Sequence, residues 1–264
     1  MKHNYFKNLL KLASKLLLLL VLITSMLTVK GQDWTWVSGD NTRDQTGVYG
    51  TKGTASSTNK PGGRETSVSW SDASGNLWLF GGYGKDGSGN SGSLNDLWKW
   101  DGTNWTWVSG DNTGDQTGVY GTKGTASSTN KPGGRETSVS WSDASGNLWL
   151  FGGYGKDGSG NSGSLNDLWK WDGTNWTWVS GDNTGDQTGV YGTKGTAAST
   201  NKPGSRLYSV SWTDASGNLW LFGGFGYDAS GSYGRLNDLW KFSCTETTAT
   251  ITETVCGNYA SPSG

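Results

Sequence analysis

The sequence predicts an all-β protein made of β-propeller blades, each a sheet of four antiparallel strands. A unit of 71 residues occurs three times without insertion or deletion, so that Trp34, Trp105 and Trp176 occupy one equivalent position. Only 32% of the residues are apolar and 44 are glycine, yet the chain has 17 tryptophans, in contrast to the aromatic-poor composition of disordered segments. A fixed period indicates units that bury their faces against their neighbours.

Residues 1–31 are predicted to be a secretory signal peptide. Lysines at positions 2, 7, 11 and 15 precede the apolar residues 16–27, and Val29-Lys30-Gly31 offers small residues before a cleavage site near Gly31 or Gln32. A membrane anchor is the alternative. Only 14 residues separate Lys15 from Lys30, whereas a spanning helix needs roughly 20. The mature chain is therefore expected to have no membrane span and to be exported.

A long polar stretch opens each repeat, and four short strands follow it. Residues 38–63 and their copy 109–134 are rich in Gly, Thr, Ser, Asn and Asp, which is typical of loops; we expect Val48-Tyr49 to hold the first of them against a blade. Strands a, b, c and d are predicted at residues 65–71, 77–80, 96–100 and 105–109. Strand b is apolar on both faces and should be buried on both. Tight turns join a to b and c to d, and the polar residues 83–93 form a longer loop between b and c.

These residues resemble the kelch repeat. The resemblance is carried by Gly81-Gly82, then Trp98, then Trp105 with six residues between the two tryptophans, and it recurs in the other copies over residues 33–243. Arg64 before strand a and Asn95-Asp96 before strand c also fit the motif. The long loops are similar to those of bacterial exported kelch proteins of the galactose-oxidase-like group. The resemblance implies a kelch-type β-propeller over residues 32–243, in a secreted or cell-surface bacterial protein.

The third repeat lacks strand d, since the position equivalent to Trp176 is Thr247. Trp34-Thr-Trp36 supplies the same strand at the other end of the chain, so the N-terminal strand is able to complete the last blade. Three blades are fewer than the four to eight of a typical closed propeller. Two chains sharing one ring as a homodimer, an open array and a shortened version of a longer array are the alternatives, and we favour the last. Residues 244–264, which are rich in threonine, are predicted to begin a further segment.

Composition restricts the chemistry of the mature chain. Without the five lysines of the leader the chain holds 16 basic and 22 acidic residues, which argues against nucleic-acid binding. The single histidine, His3, lies in the leader. The mature chain therefore has no histidine base or histidine metal ligand, and the copper site of galactose oxidase, which needs histidine, does not carry over. We expect no cofactor and no metal.

Cys244 and Cys256 are the candidate pair for one disulfide, with two free thiols as the alternative.

The carboxylates are assigned to the scaffold rather than to catalysis. Asp72, Asp96 and Asp101 recur in each full blade, whereas an active site usually draws different residues from different blades. Calcium binding by the loops that contain Asp86 and Asp111 is an alternative to a purely turn-forming role. The tryptophans are assigned to packing between blades rather than to sugar binding.

A ligand is expected at the end of the blades where the long loops meet. The third blade differs from the others there, because residues 224–235 replace the loop of the Lys85 type. The candidate contact residues are Tyr154, Lys156, Asp157, Phe225, Tyr227 and Tyr233. The sequence thus predicts a non-enzymatic module that binds a protein or a glycan at the cell surface. A carbohydrate-active enzyme using carboxylates and a purely structural or adhesive array are the alternatives.

Overall fold

A computed structural model describes Lys7, residues 11–16 and residues 33–243, in two units that span Met1–Ser38 and Gly39–Gly264. In the first unit, Lys7 and residues 11–16 are helical, and residues 33–37 form no strand. A strand needs a neighbour for its backbone hydrogen bonds, so completion of the last blade by this segment stays a prediction. Most of the predicted signal peptide, residues 244–264 and the pair Cys244 and Cys256 lie outside the described residues.

The described part of the second unit forms sixteen β-strands, which confirms the all-β prediction. They are β1 (Arg64–Glu65), β2 (Val68–Ser71), β3 (Leu77–Phe80), β4 (Tyr83–Lys85), β5 (Ser91–Ser93), β6 (Leu97–Trp100), β7 (Trp105–Ser109), β8 (Arg135–Glu136), β9 (Val139–Ser142), β10 (Leu148–Lys156), β11 (Ser162–Trp171), β12 (Trp176–Ser180), β13 (Arg206–Leu207), β14 (Val210–Thr213), β15 (Leu219–Tyr227) and β16 (Tyr233–Phe242).

We call the antiparallel strands of each repeat a blade. They form one sheet in the second and third repeats, whereas β1, β4 and β5 of the first repeat form a separate three-stranded sheet. Blade one pairs its main strands in the order β2-β3-β6-β7, and blade two pairs β9, β10, β11 and β12 in the same order. The four-stranded antiparallel unit is therefore confirmed for these two blades. Blade three pairs β14, β15 and β16 and has no fourth main strand within residues 33–243. No sheet in that range closes on itself.

Two details of the predicted strands were wrong. Strand a is not continuous, because Thr66 adopts a φ of 56° and separates β1 from β2. Residues 83–93 are not all loop, because β4 and β5 pair with each other and β4 also pairs with β1. Glycine allows this close pairing: a Cβ on Gly84 would lie 2.4 Å from the carbonyl oxygen of Gly63. The hydrogen bonds are made by the backbone, which the polar composition does not reveal.

The glycine pair at the end of strand b allows neighbouring blades to approach closely. Gly81 and Gly82 have φ values of 63° and 91°, in the left-handed region that favours glycine. A Cβ on Gly81 would lie 2.8 Å from the carbonyl oxygen of Arg135 in blade two. The Gly82 amide donates a hydrogen bond to that same oxygen at 2.8 Å. The glycine pair therefore permits close backbone approach between blades one and two.

The long polar loops are held against the blades by one tyrosine each, which confirms the prediction for Tyr49 but not for Val48, which is exposed. Tyr49 is buried, and its ring lies 4.8 Å from that of Trp98 and 5.1 Å from that of Trp107. Its hydroxyl donates to the Asp96 carboxylate at 2.6 Å. The equivalent Tyr120 makes the same contacts in blade two. One buried aromatic side chain thus orders a loop that is otherwise polar.

The core lies between the blades, in two clusters. The first joins blades one and two and includes Phe80, Trp169 and Trp176; the second joins blades two and three and includes Phe151, Leu168 and Leu219. Backbone carbonyls of strand b accept indole hydrogen bonds across the gap, from Trp70 to Trp149 at 3.3 Å and from Trp141 to Trp220 at 3.0 Å. Most tryptophans are therefore packing residues, as the sequence predicted.

Candidate functional site

The side chains predicted to contact a ligand lie where strand b continues towards strand c in blades two and three. They are Tyr154 and Lys156 in β10, Asp157 directly after it, Phe225 and Tyr227 in β15, and Tyr233 at the start of β16. β10 and β11 are long, as are β15 and β16, and each pairing shifts register at the Gly-Gly pair without ending there. The strand extensions carry these side chains.

Three of the aromatic residues form one cluster in blade three. The ring centroids of Phe225 and Tyr233 are 4.7 Å apart, and those of Tyr227 and Tyr233 are also 4.7 Å apart. Such tilted and edge-on contacts are favourable arrangements for aromatic pairs. The hydroxyl groups of Tyr233 and Ser164 in blade two lie 3.1 Å apart, within hydrogen-bonding distance. The cluster therefore reaches the neighbouring blade.

Tyr154 stands in a row with two polar residues on the same face of blade two. It lies opposite Glu136 of β8 on one side and opposite Ser164 of β11 on the other. Residues directly opposite each other in antiparallel strands share a face of the sheet. The Tyr154 side chain is 42% exposed. Because Tyr233 bonds to Ser164, it approaches the same face from blade three.

The backbone next to Glu136 is held in an unusual conformation. Thr66 and Thr137 have φ values of 56° and 57°, and β-branched residues rarely adopt positive φ. The Thr137 amide donates to the Thr66 carbonyl at 3.0 Å, which joins blades one and two. The Thr66 hydroxyl lies 2.8 Å from the Glu65 carbonyl oxygen and 3.2 Å from the Glu136 carboxylate, and its one hydrogen is shared between these two acceptors. The contact between blades at Thr66 and Thr137 therefore lies directly beside the Glu136 carboxylate.

We call Glu136, Tyr154, Ser164 and Tyr233 the rim. It combines two tyrosine side chains, one carboxylate and one further hydroxyl, contributed by two blades. Glu136 is not among the candidates that the sequence indicates, because residues 65–71 and their copies are predicted to form one unbroken strand. A difference between repeats was the available signal: Glu136-Thr137 corresponds to Leu207-Tyr208 in the third copy.

Lys156 and Asp157, the remaining two candidates, differ in burial and in their contacts. Lys156 is two residues beyond Tyr154 and opposite Ser162, so it lies on the same face and is half-buried. Asp157 is buried. One of its carboxylate oxygens accepts the amides of Ser159 and Asn161, and the other accepts the amide of Gly185. Asp157 therefore orders the loop, and its oxygens are occupied by backbone donors.

The carboxylates before strand c are buried in ion pairs. Arg135 and Asp167 form two parallel hydrogen bonds of 2.6 and 2.8 Å, and both side chains are fully buried. Tyr120 and the indole of Trp169 also donate to this carboxylate. Burial and the neighbouring Asp167 charge raise the pKa of Tyr120 well above its usual value. These buried side chains have a structural role, because they hold the polar loop that contains Tyr120 against blade two.

The carboxylates after strand a order the tight turn. Asp72 accepts backbone amides from Ser74 and Asn76, together with the Asn76 amide and the Trp78 indole. Although burial acts in the opposite direction, these hydrogen bonds lower the pKa of Asp72. The structural role assigned to this repeated aspartate is consistent with its contacts.

Neither a metal cluster nor a spanning helix occurs in the described residues. No three of the His, Cys, Asp and Glu side chains in that part of the chain are placed to hold a metal ion. In the loops considered for calcium, Asp86 accepts backbone amides and Asp111 pairs with Lys131 at 2.6 Å. Within the same residues, no helix has the length and apolar character needed to cross a membrane.

Comparison with known proteins finds remote structural likenesses. No protein-family model matches the chain, and no curated protein matches it. The chain is similar to the solved structure of YjhT, with 15% identity, a TM-score of 0.30 and coverage of 68% of this chain and 81% of that one. It is also similar to a fungal alcohol oxidase of the AA5 family in complex with copper, with 13% identity, a TM-score of 0.28 and coverage of 66% of this chain and 44% of that one. This chain therefore spans less than half the length of the oxidase. At these TM-scores neither likeness assigns a fold or a function.

Proposed function

We propose that the chain is an exported, non-enzymatic binding module, built on an incomplete kelch-type β-propeller, whose rim takes a glycan or protein ligand at the cell surface. The observation that carries the proposal is the placement of Tyr154, Glu136 and Ser164 on one face, with Tyr233 reaching that face from the next blade. A second copy of the chain is a further proposed partner.

The rim chemistry favours a glycan over other ligands. The flat face of an exposed tyrosine packs well against the apolar face of a sugar ring, and its hydroxyl remains free to hydrogen-bond. A carboxylate and hydroxyl groups nearby accept and donate hydrogen bonds to sugar hydroxyls. The rim presents exposed tyrosine side chains with their hydroxyls and the Glu136 carboxylate, while the buried Ser164 hydroxyl contacts Tyr233. The carboxylates of the Asp72 and Asp167 types, by contrast, are occupied within the scaffold. A binding role therefore suits the geometry better than carboxylate catalysis.

A glycan array followed by calorimetry on the best ligand tests the proposal. Tyr154→Ala should weaken binding by about tenfold, equivalent to about 1.4 kcal/mol. Tyr83→Ala is the matched control. Tyr83 occupies the same strand position in blade one, and its side chain is also 42% exposed. The residue that would reach it from the next blade, equivalent to Tyr233, is Ser162. Blade one therefore has no second rim.

Two outcomes would count against this function. An array and a surface-protein screen that both show no binding would favour a structural array. Equal losses for Tyr154→Ala and Tyr83→Ala would move the ligand away from the rim. Export is tested separately by mass spectrometry of the secreted chain, whose N-terminus should lie at or next to Gln32.

A further inference from the structure

Blade three presents a face of large apolar side chains that is covered in the other two blades. The four residues at this face are 40–57% exposed in blade three, whereas their equivalents are 4–9% exposed in blade two and 0–8% exposed in blade one. We call them the trailing face. In blade three the trailing face consists of Val210, Trp212, Phe222 and Leu239.

The chain itself shows what covers a trailing face. In blade two, the equivalents Val139, Trp141, Phe151 and Leu168 pack against Leu219, Leu221, Trp240 and Phe242 of blade three. In blade one, the equivalents pack against Leu148, Leu150, Trp169, Trp171 and Trp176 of blade two. We call this opposite surface the leading face. Two successive interfaces thus use the same pairing of a trailing face with a leading face.

Among the described residues, no blade packs against the leading face of blade one. Leu77 is 50% exposed, whereas its equivalents Leu148 and Leu219 are each 2% exposed. The leading face of blade one has the same residues as that of blade two, since Leu77, Leu79, Trp98, Trp100 and Trp105 correspond to Leu148, Leu150, Trp169, Trp171 and Trp176. It therefore has the same side chains that cover a trailing face within this chain; Leu77 is exposed, Leu79, Trp100 and Trp105 are half-buried, and Trp98 is buried.

We propose that the trailing face of blade three docks onto the leading face of blade one in a second copy of the chain, head to tail. The contact continues the interface between blades and uses the same residue types on both sides. Exposed apolar patches of this kind mark interaction surfaces in soluble proteins. Each copy has one face of each kind, so the interface joins two different patches rather than one patch with itself. The proposal is independent of the rim and its ligand.

Two single substitutions and their mixture test the docking. Trp212→Asp places a charge in the trailing face, and Leu77→Asp places one in the leading face; both positions are exposed in the single chain, so its fold should be retained. Sedimentation of the exported chain should show concentration-dependent association. Each variant alone should associate at least about 100-fold more weakly, because every contact then buries an unpaired charge. Val190→Asp is the control, since Val190 is 39% exposed but lies on neither face.

The mixture distinguishes head-to-tail docking from other arrangements. Mixed one to one, the two variants retain one intact pair of faces, the trailing face of Leu77→Asp and the leading face of Trp212→Asp. A heterodimer should therefore form although neither variant associates alone. Association that is lost in Trp212→Asp but kept in Leu77→Asp would indicate two blade-three faces in contact, and would overturn the proposal. A wild-type chain that sediments as a single copy at all concentrations would also overturn it, and would leave the proposed ligand unaffected.

Discussion

Substitutions at three equivalent phenylalanines test how exposed the trailing face of blade three is. Phe80, Phe151 and Phe222 are 71 residues apart and occupy the same position in strand b. Phe80 and Phe151 are buried, and Phe222 is 40% exposed. Truncation of a buried phenylalanine to alanine typically lowers the free energy of unfolding by about 3–5 kcal/mol. We expect Phe80→Ala and Phe151→Ala to fall in that range.

Phe222→Ala should be milder by an amount that follows from its exposure. A phenylalanine buries about 200 Å², so the difference between 4% and 40% exposure corresponds to roughly 70 Å² of apolar surface. At about 25 cal/mol per Å² this is about 2 kcal/mol. Phe222→Ala should therefore lower the free energy of unfolding by about 1–3 kcal/mol in the single chain.

Urea unfolding followed by tryptophan fluorescence provides the measurement. The chain should be dilute enough to sediment as a single copy, because docking of a second copy would bury Phe222. Raising the concentration should then increase the effect of Phe222→Ala and leave that of Phe151→Ala unchanged. Equal losses for all three variants at the lowest concentration would refute the reasoning, because the face would then be covered within one chain.

Two further predictions concern the buried ion pairs. Arg135→Met should lower the free energy of unfolding by about 3–5 kcal/mol, because it leaves the Asp167 carboxylate buried without its partner. The double variant with Asp167→Leu should recover part of that loss in urea unfolding, but not all of it, because the Tyr120 hydroxyl and the Trp169 indole then lose their acceptor. A double variant as unstable as the single one would contradict this. In blade three, burial acts to raise the pKa of Asp238, but hydrogen bonds from Arg206, Tyr191 and Trp240 lower it to about 2. Because the native pKa is lower than the unfolded one, this carboxylate stabilises the fold above about pH 4, and about 2 kcal/mol is lost as the pH falls to 2. Asp238→Asn should remove that part of the pH dependence between pH 5 and 2, and an unchanged slope in this variant would rule it out.

Much of the fold follows from local sequence. The order of four strands in blades one and two could be predicted because turn residues such as Asp72 and Gly75 mark the boundaries, and because the period repeats them in register. The role of Tyr49 was predictable because it is one of the few apolar residues in a polar stretch. The pairing of β4 with β5 was not, since it depends on backbone hydrogen bonds between glycine-rich segments.

The rim could be predicted only in part. Aromatic residues that distinguish blade three from its copies pointed to Phe225, Tyr227 and Tyr233, and the structure places these three together. Glu136 was missed, because its position depends on the backbone turn at Thr137 and on a hydroxyl from Thr66, 70 residues away. Asp157 looked like a loop carboxylate available for contact, but three backbone amides occupy it.

The sequence by itself determined the repeat, the strand order and the residues that line each blade, because these depend on local pattern and on a period of 71 residues. Only the tertiary structure decided which copies of a residue are covered. Phe151 and Phe222 occupy the same position in the same Leu-Trp-Leu-Phe-Gly-Gly segment, yet one is buried and the other exposed. The difference arises because burial depends on the neighbouring blade, and the third blade has no such neighbour within the described residues.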